Sequence, residues 1–142
     1  AMVLEGRNAR LGLSADLDFS REDRSENLRR AAEAARLFND AGHLAVCAFL
    51  SPSAEDRATA RKIVGEDRFI EVYLDAPEEV CRKRAGSEDY EVAQQEMAAF
   101  SDMAAPYERP CDAALVLKTD EITVDAAVQT VFDLLNERGL MG

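Results

Sequence analysis

Apolar residues along this chain fall into two alternating patterns: stretches with the 3.6-residue period of a helix, and short continuous runs. Leu28, Ala31, Ala35 and Phe38 share one helical face. Ahead of them Ser20-Arg-Glu-Asp23 offers a hydroxyl cap followed by an acidic residue at the third helical position. The pattern predicts a helix from about Ser20 to about Asp40, closed at Gly42 by a left-handed C-cap. Leu44-Ala-Val-Cys-Ala-Phe-Leu50 then runs without polar alternation, as a strand buried on both faces of a parallel sheet does. Ser51-Pro52-Ser53 breaks it, and Ser53 or Ala54 opens a charged helix through about Val64.

Phe69–Leu74 reads as the next strand, and Pro77 opens a short helix containing Val80 and Cys81. A helical patch around Val92–Phe100 lies between loops. Ala114–Leu117 forms a short strand, and Thr123–Arg138 a last helix ended by Gly139. Residues 5–20 read as loop and turn, punctuated by Gly6, Asn8, Gly12 and Ser14. Ala1–Leu4 reads as the tail of a strand whose beginning is missing. This alternation predicts one α/β domain over residues 1–142, with a mostly parallel sheet and right-handed crossovers. Ligands in such sheets sit at the carboxyl ends of the strands, which singles out residues 5–27, 51–53 and 75–77.

Charge narrows the function. The 142 residues carry 17 Lys+Arg against 28 Asp+Glu, a formal net charge of −11, which argues against a general nucleic-acid binder. No apolar run approaches the ~20 residues of a membrane span. The three cysteines, Cys47, Cys81 and Cys111, are too far apart for a disulfide framework or a zinc site. They read as free thiols in a reducing cytoplasm, and no metal site is expected.

The first strand end delivers Glu5, Arg7, Asn8 and Arg10, followed by Phe19, Arg24, Asn27, Arg29 and Arg30. Arginine forks suit phosphate or sulfate oxygens, and Phe19 offers a stacking face for a base. Arg24 and Asn27, three apart, share a helix face. The same residues also fit a solvated, salt-bridged helix start. Ser51 either hydrogen-bonds a ligand or caps the following helix. His43, at a helix-to-strand turn, reads as structural, and Asp75 as a cap for the helix at Pro77. The cluster Arg82-Lys83-Arg84 either complements a helix dipole or touches a nucleotide.

Three longer stretches carry a resemblance. Leu4-Glu5-Gly6-Arg7-Asn8-Ala9-Arg10-Leu11-Gly12-Leu13, Asp16-Leu17-Asp18-Phe19-Ser20 and Asp23-Arg24-Ser25-Glu26-Asn27-Leu28-Arg29-Arg30 resemble the adenylylsulfate (APS) kinase pattern L-D-G-D-N-x-R-x-G-L-x-x-D-L-x-F-S-x-x-D-R-x-E-N-x-R-R. Phe49-Leu50-Ser51-Pro52 is similar to the family's F-I-S-P. Phe69–Pro77 with Cys81 and Arg84, and Pro106-Tyr107-Glu108, resemble two further family stretches. The resemblance implies a P-loop-kinase-like three-layer fold that moves the γ-phosphate of MgATP onto the 3′-hydroxyl of adenylylsulfate, giving PAPS for sulfate assimilation. By position, Arg10, Phe19, Arg24, Asn27, Leu50 and Ser51 would hold adenylylsulfate or PAPS. Glu5 and Ser51 would be the catalytic candidates, and Arg84 and Tyr90 would belong to the nucleotide and lid region. A homo-oligomer and an ATP sulfurylase domain as fusion or partner are further implied.

Departures from the family pattern are equally specific. The 142 residues contain no G-x-x-x-x-G-K-[ST] loop, so MgATP is expected of the complete family enzyme and is unsupported by this chain alone. The expectation is therefore a fold with its first strand and P-loop missing. Arg7 stands where the family has the second Asp of D-G-D-N, reversing the charge where metal and acceptor hydroxyl need an anion. The family's lysine-rich lid is replaced by Ala85-Gly-Ser-Glu-Asp-Tyr-Glu-Val-Ala-Gln94. These changes predict weak or absent phosphoryl transfer with the adenylylsulfate pocket retained. The alternative is a regulatory or oligomerisation module.

Overall fold

The computed structural model describes residues 1–85 and 107–141. These fall into two compact units, one of residues 1–69 with 107–109 and the other of residues 70–85 with 110–141. Tyr90, the helical patch around Val92–Phe100 and the acidic lid sequence after Ala85 lie outside the described residues.

In the first unit, β1 (Met2–Glu5) pairs in parallel with β2 (Ala45–Ala48), in the register Met2 to Ala45 through Glu5 to Ala48. The expectation of a missing first strand is thereby overturned. The ladder to β2 engages all four residues, and the Met2 N–H donates to the Leu44 carbonyl at 2.7 Å. Leu4 adds a packing contact to the hydrophobic core. Directly after β1 the chain turns into a five-residue helix, α1 (Gly6–Arg10), where the sequence suggested only loop.

α2 (Arg21–Asp40) begins where its cap signal lies: the Ser20 hydroxyl accepts from the Asp23 N–H. Gly42 follows it with φ +82°, a conformation glycine adopts without a Cβ clash. α3 (Ala54–Val64) is capped in the same manner, Ser53 accepting from the Asp56 N–H. Ala32 and Ala35 of α2 and Val64 of α3 form the buried core, with Leu4, Ala45, Ala60, Ile63 and Phe69 packed against it. Small alanine side chains let two helices and a strand pair approach closely. β2 is less enclosed than its unbroken apolar run predicts, and Val46 is 47% exposed. Neighbouring side chains along a strand face opposite ways, and the core contact falls to Ala45 rather than Val46.

The second unit repeats the scheme. β3 (Val72–Asp75) pairs in parallel with β4 (Leu115–Lys118), and α4 (Glu78–Ala85) and α5 (Val124–Glu137) follow these strands. Leu117 is its buried strand residue, and Thr123 caps α5 by accepting from the Ala126 N–H. Among the described residues, no helix is long and apolar enough to cross a membrane.

Candidate functional site

Parallel pairing places the carboxyl ends of β1 and β2 side by side, so the segments leaving them are neighbours. A Cβ on Gly6 would lie 3.4 Å from the Phe49 ring, which shows how closely the two exits approach. Glu5, half-buried, ends β1 and precedes α1 without a side-chain capping bond. Leu50 is 65% exposed beyond the end of β2, and Ser51 beside it is half-buried. Ser51 has φ +37°, the one non-glycine residue with positive φ among those described. Its hydroxyl donates to the Phe49 carbonyl at 3.4 Å. A non-glycine residue in this region costs of order 1–3 kcal/mol and persists only where its surroundings enforce it.

Arg57 lies against this turn. This arginine is buried, only 7% exposed, and its Nη1 donates to the carbonyls of Ser51 (2.8 Å) and Pro52 (3.1 Å). Its Nη2 donates to the Glu108 carbonyl, and its guanidinium lies 5.3 Å from the Tyr107 ring centroid. Glu108 also donates its N–H to the Pro52 carbonyl at 3.0 Å and accepts from the Ala54 N–H through its carboxylate. Sequence reading did not single out Arg57. The only signal available was an arginine one turn into a helix, and helical side chains tilt back toward the preceding turn.

Arg10 and Phe19, nine positions apart, are brought together: the guanidinium lies over the ring at 4.0 Å. Arg10 Nη1 also donates to the carbonyls of Leu17 and Asp18, which folds residues 11–19 back onto α1. Arg30 fastens the same loop from α2. Its Nη1 and Nη2 grip both oxygens of Asp16 at 2.6 and 2.9 Å, its Nη1 also reaches the Leu13 carbonyl, and its Nε bonds Glu26 at 3.0 Å. The hydrogen bond from Arg30 holds Asp16 below the usual carboxylate range. Those from Arg29 and Arg30 hold Glu26 down at about 2. Asp18 is likewise lowered, by the backbone N–H of Ser20 that it accepts.

Arg24 and Asn27 lie one turn apart on α2. Asn27 is 6% exposed, and its Oδ1 has no hydrogen-bond partner. Ser14 Oγ, fully buried, is unpartnered as well. Each such atom costs about 1–3 kcal/mol unless something supplies a donor, so the Asn27 oxygen is an acceptor suited to an N–H or O–H from a bound molecule.

A profile of the Adenylylsulphate kinase family matches residues 1–118. The chain belongs to the adenylylsulfate kinase family. It is 41% identical to the adenylyl-sulfate kinase of Clostridium acetobutylicum over 140 residues, 98% of this chain and 70% of that one. The adenylyl-sulfate kinase of Acaryochloris marina is 42% identical over 140 residues, covering 98% of this chain and 68% of the relative. Among solved structures, the Mycobacterium tuberculosis APS kinase CysC in complex with AMPPNP and APS superposes with a TM-score of 0.84 at 42% identity. That match covers 96% of this chain and 80% of that one.

Against the family's pattern the remaining positions divide. Arg7 is exposed at the family's Asp position. Arg84, in the second unit, donates to the hydroxyl and carbonyl of Thr119, while Arg82 and Lys83 pair with Glu78 and Glu79 of their own helix. Among the described residues, no group of three or more His, Cys, Asp or Glu is placed to hold a metal ion. Of the three lysines, Lys83 is paired with Glu79 and Lys118 with Glu121.

Proposed function

We propose that this chain binds adenylylsulfate, or its 3′-phosphorylated product PAPS, at Arg10, Phe19, Arg24, Asn27, Leu50 and Ser51, with phosphoryl transfer weak or absent. The observation that carries the reading is the buried, unpartnered Asn27 Oδ1 one helical turn from Arg24. A buried amide oxygen left without a donor is tolerated where a ligand completes it. Half-buried Phe19 supplies an aromatic surface for a base, and the arginines supply forked donors for sulfate and phosphate oxygens. The likeness to the Mycobacterium tuberculosis APS kinase CysC in complex with AMPPNP and APS supports the same ligand class.

Weak transfer follows from Arg7. A guanidinium at the position of a family carboxylate repels a divalent cation and cannot accept the proton of an acceptor hydroxyl. Glu5 and Ser51 are the residues we assign to any remaining chemistry.

Calorimetric titration with adenylylsulfate, beside Arg24→Ala, tests the pocket, and an ATP-turnover assay with adenylylsulfate tests the chemistry. Binding to wild type that is lost in the variant, with negligible turnover, is expected. Turnover at the rate of the family enzymes would contradict the second half of the proposal. No heat from a folded chain would contradict the first half and favour a regulatory or oligomerisation module.

A further inference from the structure

Arg57 is buried, and its guanidinium is gripped by three main-chain carbonyls and lies against an aromatic face. Burying a charge is costly unless it is fully hydrogen-bonded, and a planar five-donor fork can collect several carbonyls at once in a fixed geometry. The carbonyls it collects come from two places. Ser51 and Pro52 form the turn leaving β2, whereas Glu108 lies more than fifty residues further along the chain. The same turn holds Ser51 in its left-handed conformation. A second contact set runs parallel to the first, since Glu108 bonds the Pro52 carbonyl and the Ala54 N–H. The cation also sits near the N-terminus of α3, where the helix dipole disfavours it. Glu55, Asp56 and the Glu108 carboxylate offset that placement.

We propose that Arg57 is a positioning residue for the adenylylsulfate pocket: by gripping the carbonyls of Ser51, Pro52 and Glu108 it fixes where Leu50 and Ser51 stand. This inference rests on the reading that Leu50 and Ser51 line that pocket. A left-handed Ser51 sets the direction of its own side chain and of the peptide that follows Leu50. Freed of Arg57, Ser51 would relax toward the ordinary negative φ and carry both residues away from the ligand.

The test compares wild type, Arg57→Met, Arg57→Lys and Tyr107→Leu, each well below its unfolding midpoint. Two quantities are read: calorimetric affinity for adenylylsulfate, and the backbone NMR shifts of Ser51, which report its φ. Arg57→Met is expected to bind about tenfold more weakly, the equivalent of one or two lost hydrogen bonds, with Ser51 shifts moved toward negative φ. Arg57→Lys, which keeps the charge but not the fork, should recover only part of the affinity. Tyr107→Leu, which leaves the carbonyl bonds in place, should fall closer to wild type than either.

A purely structural arginine would lower the unfolding midpoint while leaving affinity and Ser51 shifts unchanged, and that result overturns the proposal. If Arg57→Met does not fold, the ordering of Arg57→Lys and Tyr107→Leu decides. Unchanged affinity in both overturns the proposal. A wild-type chain that binds no adenylylsulfate removes the pocket reading itself, and this inference falls with it. Binding by wild type with equal binding by the variants defeats the positioning role alone.

Discussion

Two arginines fasten the two loops that flank this site, and they do it with different partners. Arg30, on α2, holds residues 11–20 through the Asp16 carboxylate and the Leu13 carbonyl, braced by Glu26 of its own helix. Arg57, buried at the start of α3, holds residues 51–52 through main-chain carbonyls. Carboxylates titrate and are screened by salt, whereas carbonyls are not titratable and this grip is shielded from water. The Arg30 loop is therefore sensitive to solution conditions, while the Arg57 turn depends on the integrity of the fold.

The largest effect should come from the buried member. Arg57→Met leaves three carbonyls without their charged donor, and urea unfolding should show a loss of about 2–4 kcal/mol. A loss no greater than that of an exposed substitution would erase the contrast. Asn27→Leu should separate stability from function. Replacing an amide whose buried oxygen is unpartnered by an isosteric apolar side chain should leave stability unchanged or raise it by about 1 kcal/mol. Calorimetry should nonetheless record weaker adenylylsulfate binding. Destabilisation without loss of affinity would mean that Asn27 serves packing and not the ligand.

Smaller again, Ser20→Ala removes the α2 cap and should cost about 1 kcal/mol, read as a shift in the urea midpoint.

Acid should affect the Arg30 loop and spare the grip of Arg57. The Asp16 and Glu26 carboxyls are depressed in the folded chain, so their contribution is complete above the ordinary value, 4.5 for Glu26. It is lost as pH falls below those ordinary values, for Glu26 toward about 2. Amide exchange across residues 11–20 should quicken through that window before exchange at residues 51–57 does. Simultaneous loosening would show that the two loops are not held independently.

Much of the scaffold was legible because local chemistry marks it. The Ser20 cap and the glycines after α2 and α5 fall where the sequence places them, whereas α3 is capped by Ser53 and not by Ser51. α1 was not legible: Gly6–Arg10 is too short for a helical period to register, and Gly6 and Asn8 are turn residues by composition. β1 is illegible locally because what defines Met2–Glu5 as a strand is its pairing with the distant β2, which no local pattern reports. The site residues are legible only through the family resemblance, and the contact of Arg10 with Phe19 does not follow from their spacing. Arg57 escaped because its importance lies in burial and in a partner at Glu108, both tertiary facts.

Hydrogen exchange with and without adenylylsulfate tests the pocket most directly, because it reads every segment at once. Slowed exchange at both residues 10–27 and residues 49–51, absent in Arg24→Ala, is the predicted result. Protection confined to other segments, or none at saturating ligand, would contradict the assignment of adenylylsulfate to the β1 and β2 strand ends.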